Sequence, residues 1–436
     1  MALGGGTFVA QNKELPGAYM NFVSKSAATA ALSGRGIATM ALELDWGREG
    51  EIFEVTNGDF QKNSTEIFGY EYTSDKLRGL RDLFLNTHTL YAYRLNGGGK
   101  KAGNSLAEAR YCGVRGNDLK VAVQVNADDE TLFDVKTILG TEAVDEQTVS
   151  QAAELADNRF LKWKLGITLE AAAAVPLTGG ENGTVSGEDH QAYLDKAESY
   201  AFNTMGAAVT DDTTKSLYAA YNKRLRDEMG VKFQLVLYDY AKADFMGVIS
   251  VNNKVLDEGW SEAGLVYWVT GASAGCAVNK SNQNRKYDGG FTVDTPYTQS
   301  QLKAAIKAGK FTFHLVGTDV RVLEDVNTMV TVSDTMGDIF KDNQTVRVID
   351  QIGNDIAMLF NTKYLGVVPN DAAGRISLWS DIVKHHEQLQ EIRAIEDFSD
   401  ADVTVAQGET KKSVVVADSV TVVNAMGKLY MTVTVA

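Results

Sequence analysis

The chain has 436 residues, 44% hydrophobic and 9% aromatic, which describes a folded protein too long for one ordinary core. A formal charge of −15 offers no basic footprint for nucleic acid and disfavours direct binding of DNA. Cys112 and Cys276 lie far apart and outside any CxxC, which excludes a disulfide framework and leaves both as small buried residues.

The opening stretch, MALGGGTFVAQNKELPG, lacks the basic and apolar regions of a signal peptide. Apolar runs elsewhere are strand-length, so no membrane insertion is expected. Thr7, Phe8 and Val9 fit a brief strand on an arm, residues 1–19, that buries nothing alone. From EIFEVTNGDF the chain reads strand, turn, helix, strand. Ser74 or Asp75 caps a helix carrying Leu77, Leu80 and Phe84, and TLYAYRL follows as a strand. NGGGKKAGN, residues 96–104, reads as a flexible hinge and a domain boundary.

Beyond it the texture turns to β. DLKVAVQVN and TLFDVKTIL alternate around a turn at NADDE, a short helix is expected at 148–155, and strands lie around 163–168. PLTGGENGTVSG closes this unit. HQAYLDKAESYAF and TTKSLYAAYNKRLRDEMG are then helical, the second stopped by Gly230. KFQLVLYD and GVISVNN are buried strands, and AGLVYWVTGASAG reads as a strand running into a small-residue turn or helix.

In the last third, FTFHLVG and VRVLEDV are strands. One long amphipathic helix carries Val346, Ile349, Ile352, Ile356 and Leu359; a second carries Ile376, Trp379, Val383, His386, Leu389 and Ile392. KSVVVADSVTVV and GKLYMTVTVA close the chain as strands. In the last, Leu429, Met431, Val433 and Val435 alternate with Tyr430, Thr432 and Thr434. Strand edges are ordinarily paired or blunted by charge or proline, yet this segment has neither after Lys428. Its partner is either its own subunit or a second copy. The domains expected are 1–19, 20–100 with 178–290, 101–177, 291–400 and 401–436.

Chemistry-bearing motifs are sparse. GGGK at 97–100 lacks the first glycine of a phosphate loop and the Ser/Thr after lysine. VTGASAGC at 269–276 is not GxGxxG, and its small residues suit close backbone packing instead. In HHEQLQE, His386 joins the apolar stripe while His385 and Glu387 point elsewhere; without HExxH this is a core histidine beside a solvated face. Asp128–Asp129 and Asp211–Asp212 read as turns and caps. No catalytic, cofactor or metal residue is assigned, and a structural protein is expected.

Several stretches, read in order, carry a resemblance: NKELPGAYMNFVS, ARYCGVRGNDLKVAVQVNADDETLFDVKTILG, PLTGGENGTVSGEDHQAYLDKAESYAFN, NKRLRDEMGVKFQLVLYD, GLVYWVTGASAGCAVNKSNQNRKYDG and VRVLEDVNTMVT. The chain resembles the tail sheath proteins of contractile phages and phage-derived particles of Gram-positive bacteria, over nearly its whole length. The resemblance implies a mixed α/β (α+β) multidomain fold with an inserted β-rich outer domain and extended N- and C-terminal strand arms. It implies a non-enzymatic subunit without cofactor, stacked as six-fold rings around a tail tube and contracting to drive that tube through an envelope. Partners would be other sheath subunits, the tube protein, the baseplate and a tail terminator, in a virion tail or tail-like particle assembled in host cytoplasm. Thr7, Phe8, Val9, Leu429, Tyr430, Met431, Val433 and Val435 would exchange strands between subunits. Lys384, Glu387, Glu391 and Arg393, on a helix at 375–396, would face the tube. The competing readings are another self-assembling shell or surface-layer protein, and a cytosolic α/β enzyme binding a nucleotide at 269–276.

Overall fold

The computed structural model describes residues 32–435, so the expected strand at Thr7, Phe8 and Val9 lies outside the described residues. The described chain divides into two compact units, 34–353 with 422–435, and 32–33 with 354–421.

The larger unit opens with β1 (Ile37–Leu42) and β2 (Ile52–Thr56), followed by α1 (Asn57–Phe68). The TNG read as a turn is the start of that helix. Thr56 Oγ1 accepts from the Asp59 amide at 3.1 Å and Asp59 returns a bond to the Thr56 amide, a reciprocal cap that satisfies exposed donors. Then come α2 (Arg78–Phe84) and β3 (Thr89–Arg94). Leu77, Leu80 and Phe84 are buried as expected.

The next segment holds β4 (Ala107–Ala109), β5 (Leu119–Val125), β6 (Phe133–Leu139), β7 (Glu142–Val149), β8 (Leu161–Trp163) and β9 (Ala172–Pro176). These form a four-stranded sheet, β7-β6-β5-β9, and a two-stranded one, β4-β8. The short helix expected from Thr148 shrinks to one turn at Ala152–Glu154, because β6 holds β7 in register to Val149. Leu119, Val121, Val123, Val135, Leu139 and Leu161 build its core, and Trp46 from the loop after β1 completes it, stacked on Phe160 at 6.1 Å.

The glycine run at 97–99 is no flexible hinge. Lys100 and Glu181 exchange backbone hydrogen bonds at 3.0 Å, Gly103 and Thr178 do the same, and Gly183 donates to Asn96. The two connections are thus zipped into a neck. A Cβ at Gly99 would fall 2.1 Å from the Glu181 carbonyl, and one at Gly183 1.9 Å from that of Gly97, so the run is glycine because two backbones touch there.

The chain continues with α3 (Gly187–Ala197), β10 (Thr204–Ala207), α4 (Asp212–Asp227), β11 (Gln234–Tyr238), β12 (Val248–Val251), α5 (Leu265–Gly275), α6 (Gln299–Lys307), β13 (Lys310–Phe311), β14 (Phe313–Val316), β15 (Asp319–Val322) and α7 (Asn343–Leu359). A seven-stranded sheet runs β13-β12-β11-β10-β1-β3-β2, parallel except where β2 meets β3. Both faces are covered, which is why its strands are apolar throughout. Val236, Ile249 and Val251 face the core that holds α5, while Leu235, Leu237 and Val248 face α3 and α4.

The segment expected to be a strand before GASAG is the buried helix α5. A short apolar run has no solvent face to reveal its period. Its glycines do serve close packing: a Cβ at Gly271 would meet the Leu83 carbonyl at 2.3 Å, and one at Gly275 the Asn86 carbonyl at 1.7 Å. Lys310–Phe311 completes the sheet edge, so this stretch belongs with the larger unit rather than with a C-terminal domain beginning at residue 291.

Under α7 lies a buried polar network. Arg347 and Asp325, both fully buried, pair at 2.6 Å, and Asp325 also accepts from the Asn282 amide and Asn343 Nδ2. Arg226 grips Asp350 through two bonds of 2.7 and 2.6 Å. The Arg347 guanidinium and these donors hold the Asp325 carboxyl below the usual range against its burial.

The smaller unit takes the end of α7, then α8 (Ala372–Glu391), β16 (Ile395–Glu396), β17 (Val403–Gln407) and β18 (Val414–Asp418). The last short strand, β19 (Thr421–Val422), straddles the division between units. Asp371 caps α8, accepting from the Gly374 amide at 2.8 Å. Leu359, Tyr364, Leu378, Ile382, Val383 and Val403 form its core.

Candidate functional site

The chain's closing segment shows most clearly what the described fold does not supply by itself. Residues 423–425 are fixed: Gln344 Nε2 donates to the Val423 carbonyl at 3.0 Å and Gln344 Oε1 accepts from the Ala425 amide at 2.9 Å. From Gly427 onward the alternating segment pairs with nothing among the described residues. Leu429 is 85% exposed, Tyr430 89%, Met431 75%, Val433 68% and Val435 90%. A strand pattern needs a second strand to take up its amides and carbonyls. Closure within the subunit, one of the two partners open to it from sequence, is absent among the described residues.

In the smaller unit, β17 and β18 pair antiparallel from Val403↔Asp418 to Gln407↔Val414. A two-stranded ribbon is marginal alone, and Val415 and Val416 remain exposed on it. Beside it open two cavities. One of 350 Å³ is lined by Ile356, Phe360, Leu378, Ile382, Val414 and Val416. The other, of 540 Å³, is walled by Phe360, Tyr364, Leu365, Val367 and Val414, with Arg375, Lys411 and Lys412 on its lining. Sequence reasoning missed both: loop residues 365–369, which follow no periodic pattern, supply much of the larger one's wall, and the smaller one lies between two helices and a strand remote in sequence.

Lys384, Glu387 and Glu391 come together on one exposed face of α8. Arg393 does not join them: α8 ends at Glu391, and Arg393 sits past it in a left-handed conformation, φ +61°. The helix therefore does not reach residue 396. Its buried arc is also wider than the stripe expected. Ile376 and Ile392 are exposed, while Leu378, Asp381, Ile382 and His385 are buried beside His386. Asp381 is held by Tyr364 Oη at 2.6 Å and Lys363 Nζ at 2.5 Å. His385, expected to point away from the core, is 1% exposed and contacts Asp355, because the helix is covered on two sides.

The residues at 269–276 hold no nucleotide-loop geometry: they are the end of α5, packed on the backbone of Leu83–Asn86. Cys276 is buried, and burial pushes its thiol up, away from nucleophilic character. No group of three or more metal-ligating side chains occurs among the described residues.

Comparison with known proteins places four family models along the chain from residue 35. Family models match at 35–95 (tail sheath protein Gp18 domain III N-terminal region), 93–182 (phage tail sheath protein beta-sandwich domain), 183–328 (phage tail sheath protein central domain) and 335–436 (phage tail sheath C-terminal domain). The phage-like element PBSX protein XkdK of Bacillus subtilis is 30% identical over 99% of this chain and 100% of its own length. The crystal structure of the sheath tail protein of Desulfitobacterium hafniense superposes with a TM-score of 0.79 at 36% identity, covering 90% of this chain and 93% of that one. The helical sheath of the anti-feeding prophage in its contracted state shares the fold at 13% identity, with a TM-score of 0.57 over 97% of this chain and 99% of that one. With its domains matched in order and a relative alike from end to end, the chain belongs to the phage tail sheath protein family.

Proposed function

We propose that this sheath protein is a structural, non-catalytic subunit that polymerises as stacked six-membered rings around a tail tube and contracts to drive the tube through a bacterial envelope. The observation that supports the reading is the bare closing segment: an apolar, alternating stretch from Leu429 to Val435, exposed and without a strand partner among the described residues, in a chain whose long strands are paired. Added to the open ribbon β17–β18 of a second copy, it would make main-chain hydrogen bonds worth about 1 kcal/mol each and bury its apolar side chains in the grooves beside that ribbon. Thr7, Phe8 and Val9 take the same part at the other end of the chain.

The subunit needs no fuel site. It waits in an extended lattice and reaches lower free energy on contraction, while strand links keep neighbours attached. Residues 101–177 form the outward domain. Lys384, Glu387 and Glu391 face the tube, with Arg393 at their margin, and the baseplate and terminator cap the ends of a virion tail or tail-like particle assembled in host cytoplasm.

The test is truncation. Removing 428–436 should leave a folded monomer that no longer forms tubes by electron microscopy. Normal tubes from the truncated chain would overturn strand exchange by this segment.

A further inference from the structure

Just upstream of the bare segment, residues 423–425 are held by two consecutive side chains from the first turn of α7. Gln344 is 2% exposed and Thr345 1%. Asp342 Oδ1 accepts from both their amides, at 2.7 and 3.1 Å, which fixes their backbone at the start of the helix. Their side chains are left for the chain that passes over them. Gln344 donates from Nε2 to the Val423 carbonyl at 3.0 Å and accepts through Oε1 from the Ala425 amide at 2.9 Å. Between these two bonds, Asn424 Nδ2 donates to Thr345 Oγ1 at 3.2 Å. Gly427 then passes Gln283 so closely that an added Cβ would lie 3.2 Å from its side-chain amide.

A glutamine side chain ends in a copy of the peptide group, with a carbonyl acceptor and N–H donors. Giving to the carbonyl of one residue and taking from the amide two residues on is what a single residue of a parallel neighbour strand does. Both bonds require the Val423 carbonyl and the Ala425 amide to lie on the same side, as they do in extended chain. Gln344 therefore stands in for a strand at one position, at the point from which the bare segment leaves. What lies behind it is firmly held. Further along α7, Arg347 pairs with the fully buried Asp325 at 2.6 Å, and Asp350 pairs with Arg226 at 2.6 Å. Residues 343–353 and 422–435 belong to the same compact unit.

We propose that Gln344 is the mooring of the closing segment: its side-chain amide fixes the extended course of residues 423–425, presents the bare strand in one direction to a second copy, and passes that copy's pull into α7. Gln344 is thus a positioning residue for association, with no part in the pairing itself. A strand whose root is already ordered gives up less freedom when it pairs, so the mooring lowers the concentration at which copies join. Tension on the strand enters the first turn of α7 and is resisted by the charge pairs at Arg347 and Asp350. The fixed root stands by itself; its consequence for assembly rests on the strand exchange proposed above.

The test uses the full chain and one variant on each side of the contact. Gln344→Met keeps the length of the side chain and loses both bonds; Ala425→Pro removes the donated amide and leaves α7 untouched. Hydrogen exchange at the Ala425 amide should quicken at least tenfold in Gln344→Met. In both variants the lowest protein concentration that yields tubes by electron microscopy should rise about tenfold, as for the loss of hydrogen bonds of ordinary strength. A rise confined to Gln344→Met would mean that the glutamine acts through the fold of α7, and a rise confined to Ala425→Pro that the proline disturbs the strand; either overturns the mooring. So does an Ala425 amide that exchanges as in the parent chain. Should Gln344→Met not fold, Gln344→Glu takes its place: it keeps the acceptor for Ala425, loses the donor to Val423, and should show a smaller rise. If the chain without 428–436 still makes tubes while Gln344→Met frees the Ala425 amide, the fixed root stands and strand exchange falls. If that truncation abolishes tubes while both variants assemble at the parent's threshold, strand exchange stands and the mooring falls.

Discussion

The seven-stranded body and the closing segment have similar apolar strand chemistry and opposite fates. In the body, Leu235, Val236 and Leu237 are fully buried between helices, and β11 lies paired on both sides. At the end of the chain, Leu429, Met431 and Val433 alternate just as well and are covered by nothing among the described residues. The difference is not propensity but supply of partners. The body completes its hydrogen bonds from its own chain, so its energy resides in folding. The closing segment leaves them open, so under the strand exchange proposed above its energy is realised only in association.

That contrast predicts where mutations hurt. The largest effect is expected at the buried pair under α7. Asp325→Ala strands the fully buried Arg347 without its counter-charge and should cost about 3–5 kcal/mol in denaturant unfolding. Replacing both by apolar residues should cost far less; equal losses would show that the charges are not the issue. Trp46→Ala empties the aromatic centre shared by the loop after β1 and the β-rich domain, against Tyr111 and Phe160. About 3 kcal/mol is expected by the same measurement. Loss of that ring should also loosen residues 101–177 in hydrogen exchange, and a change confined to the seven-stranded sheet would remove Trp46 from that core.

Asp82 gives a smaller, pH-dependent effect. Burial pushes its carboxyl up to about 6, even though Tyr287 Oη at 2.5 Å and the Gly290 amide at 2.8 Å donate to it. The folded state therefore holds its proton more tightly than the unfolded chain. The contribution is complete below about pH 4 and is lost as the pH rises through about 6, amounting to roughly 2–3 kcal/mol. Asp82→Asn should flatten that part of the stability profile; an unchanged slope assigns it to another group.

At the open end the signs reverse. Removing 428–436 should change monomer stability by less than about 0.5 kcal/mol while abolishing tubes. A large stability loss would mean that the segment is part of the fold after all. The smallest effect is at α8. Lys384→Glu with Glu391→Lys should leave fold and sheath–sheath association intact, since solvated pairs are worth about 0–1 kcal/mol, and weaken assembly around the tube, most at low salt where the charges are least screened. Crosslinks from α8 that reach only other sheath subunits would place the tube contact elsewhere.

Much of the fold was legible because periodicity reports burial. The helices at 212–227 and 343–359 carry it, while the strands at 234–238 and 248–251 show instead as short apolar runs. It fails where burial is complete or where partners are remote. Helix α5 is apolar all round and so has no period to read. His385 is buried by the contact with Asp355, 30 residues away in sequence, which no local pattern contains. The site was legible in part: the alternation of 429–435 is visible in ten letters, whereas the larger cavity beside β17–β18 comes from a loop brought to a helix by folding.

The glycine neck has a mechanical consequence. A domain hung on a single strand swivels about its backbone dihedrals and passes on tension but not torque. Residues 101–177 hang on two strands cross-linked at Lys100–Glu181 and Gly103–Thr178. Twisting them would shear several hydrogen bonds at once, and at Gly99 and Gly183 the backbones are already too close for a methyl group. A torque applied to that domain is therefore delivered to the body as rotation, as by a spoke keyed to its hub.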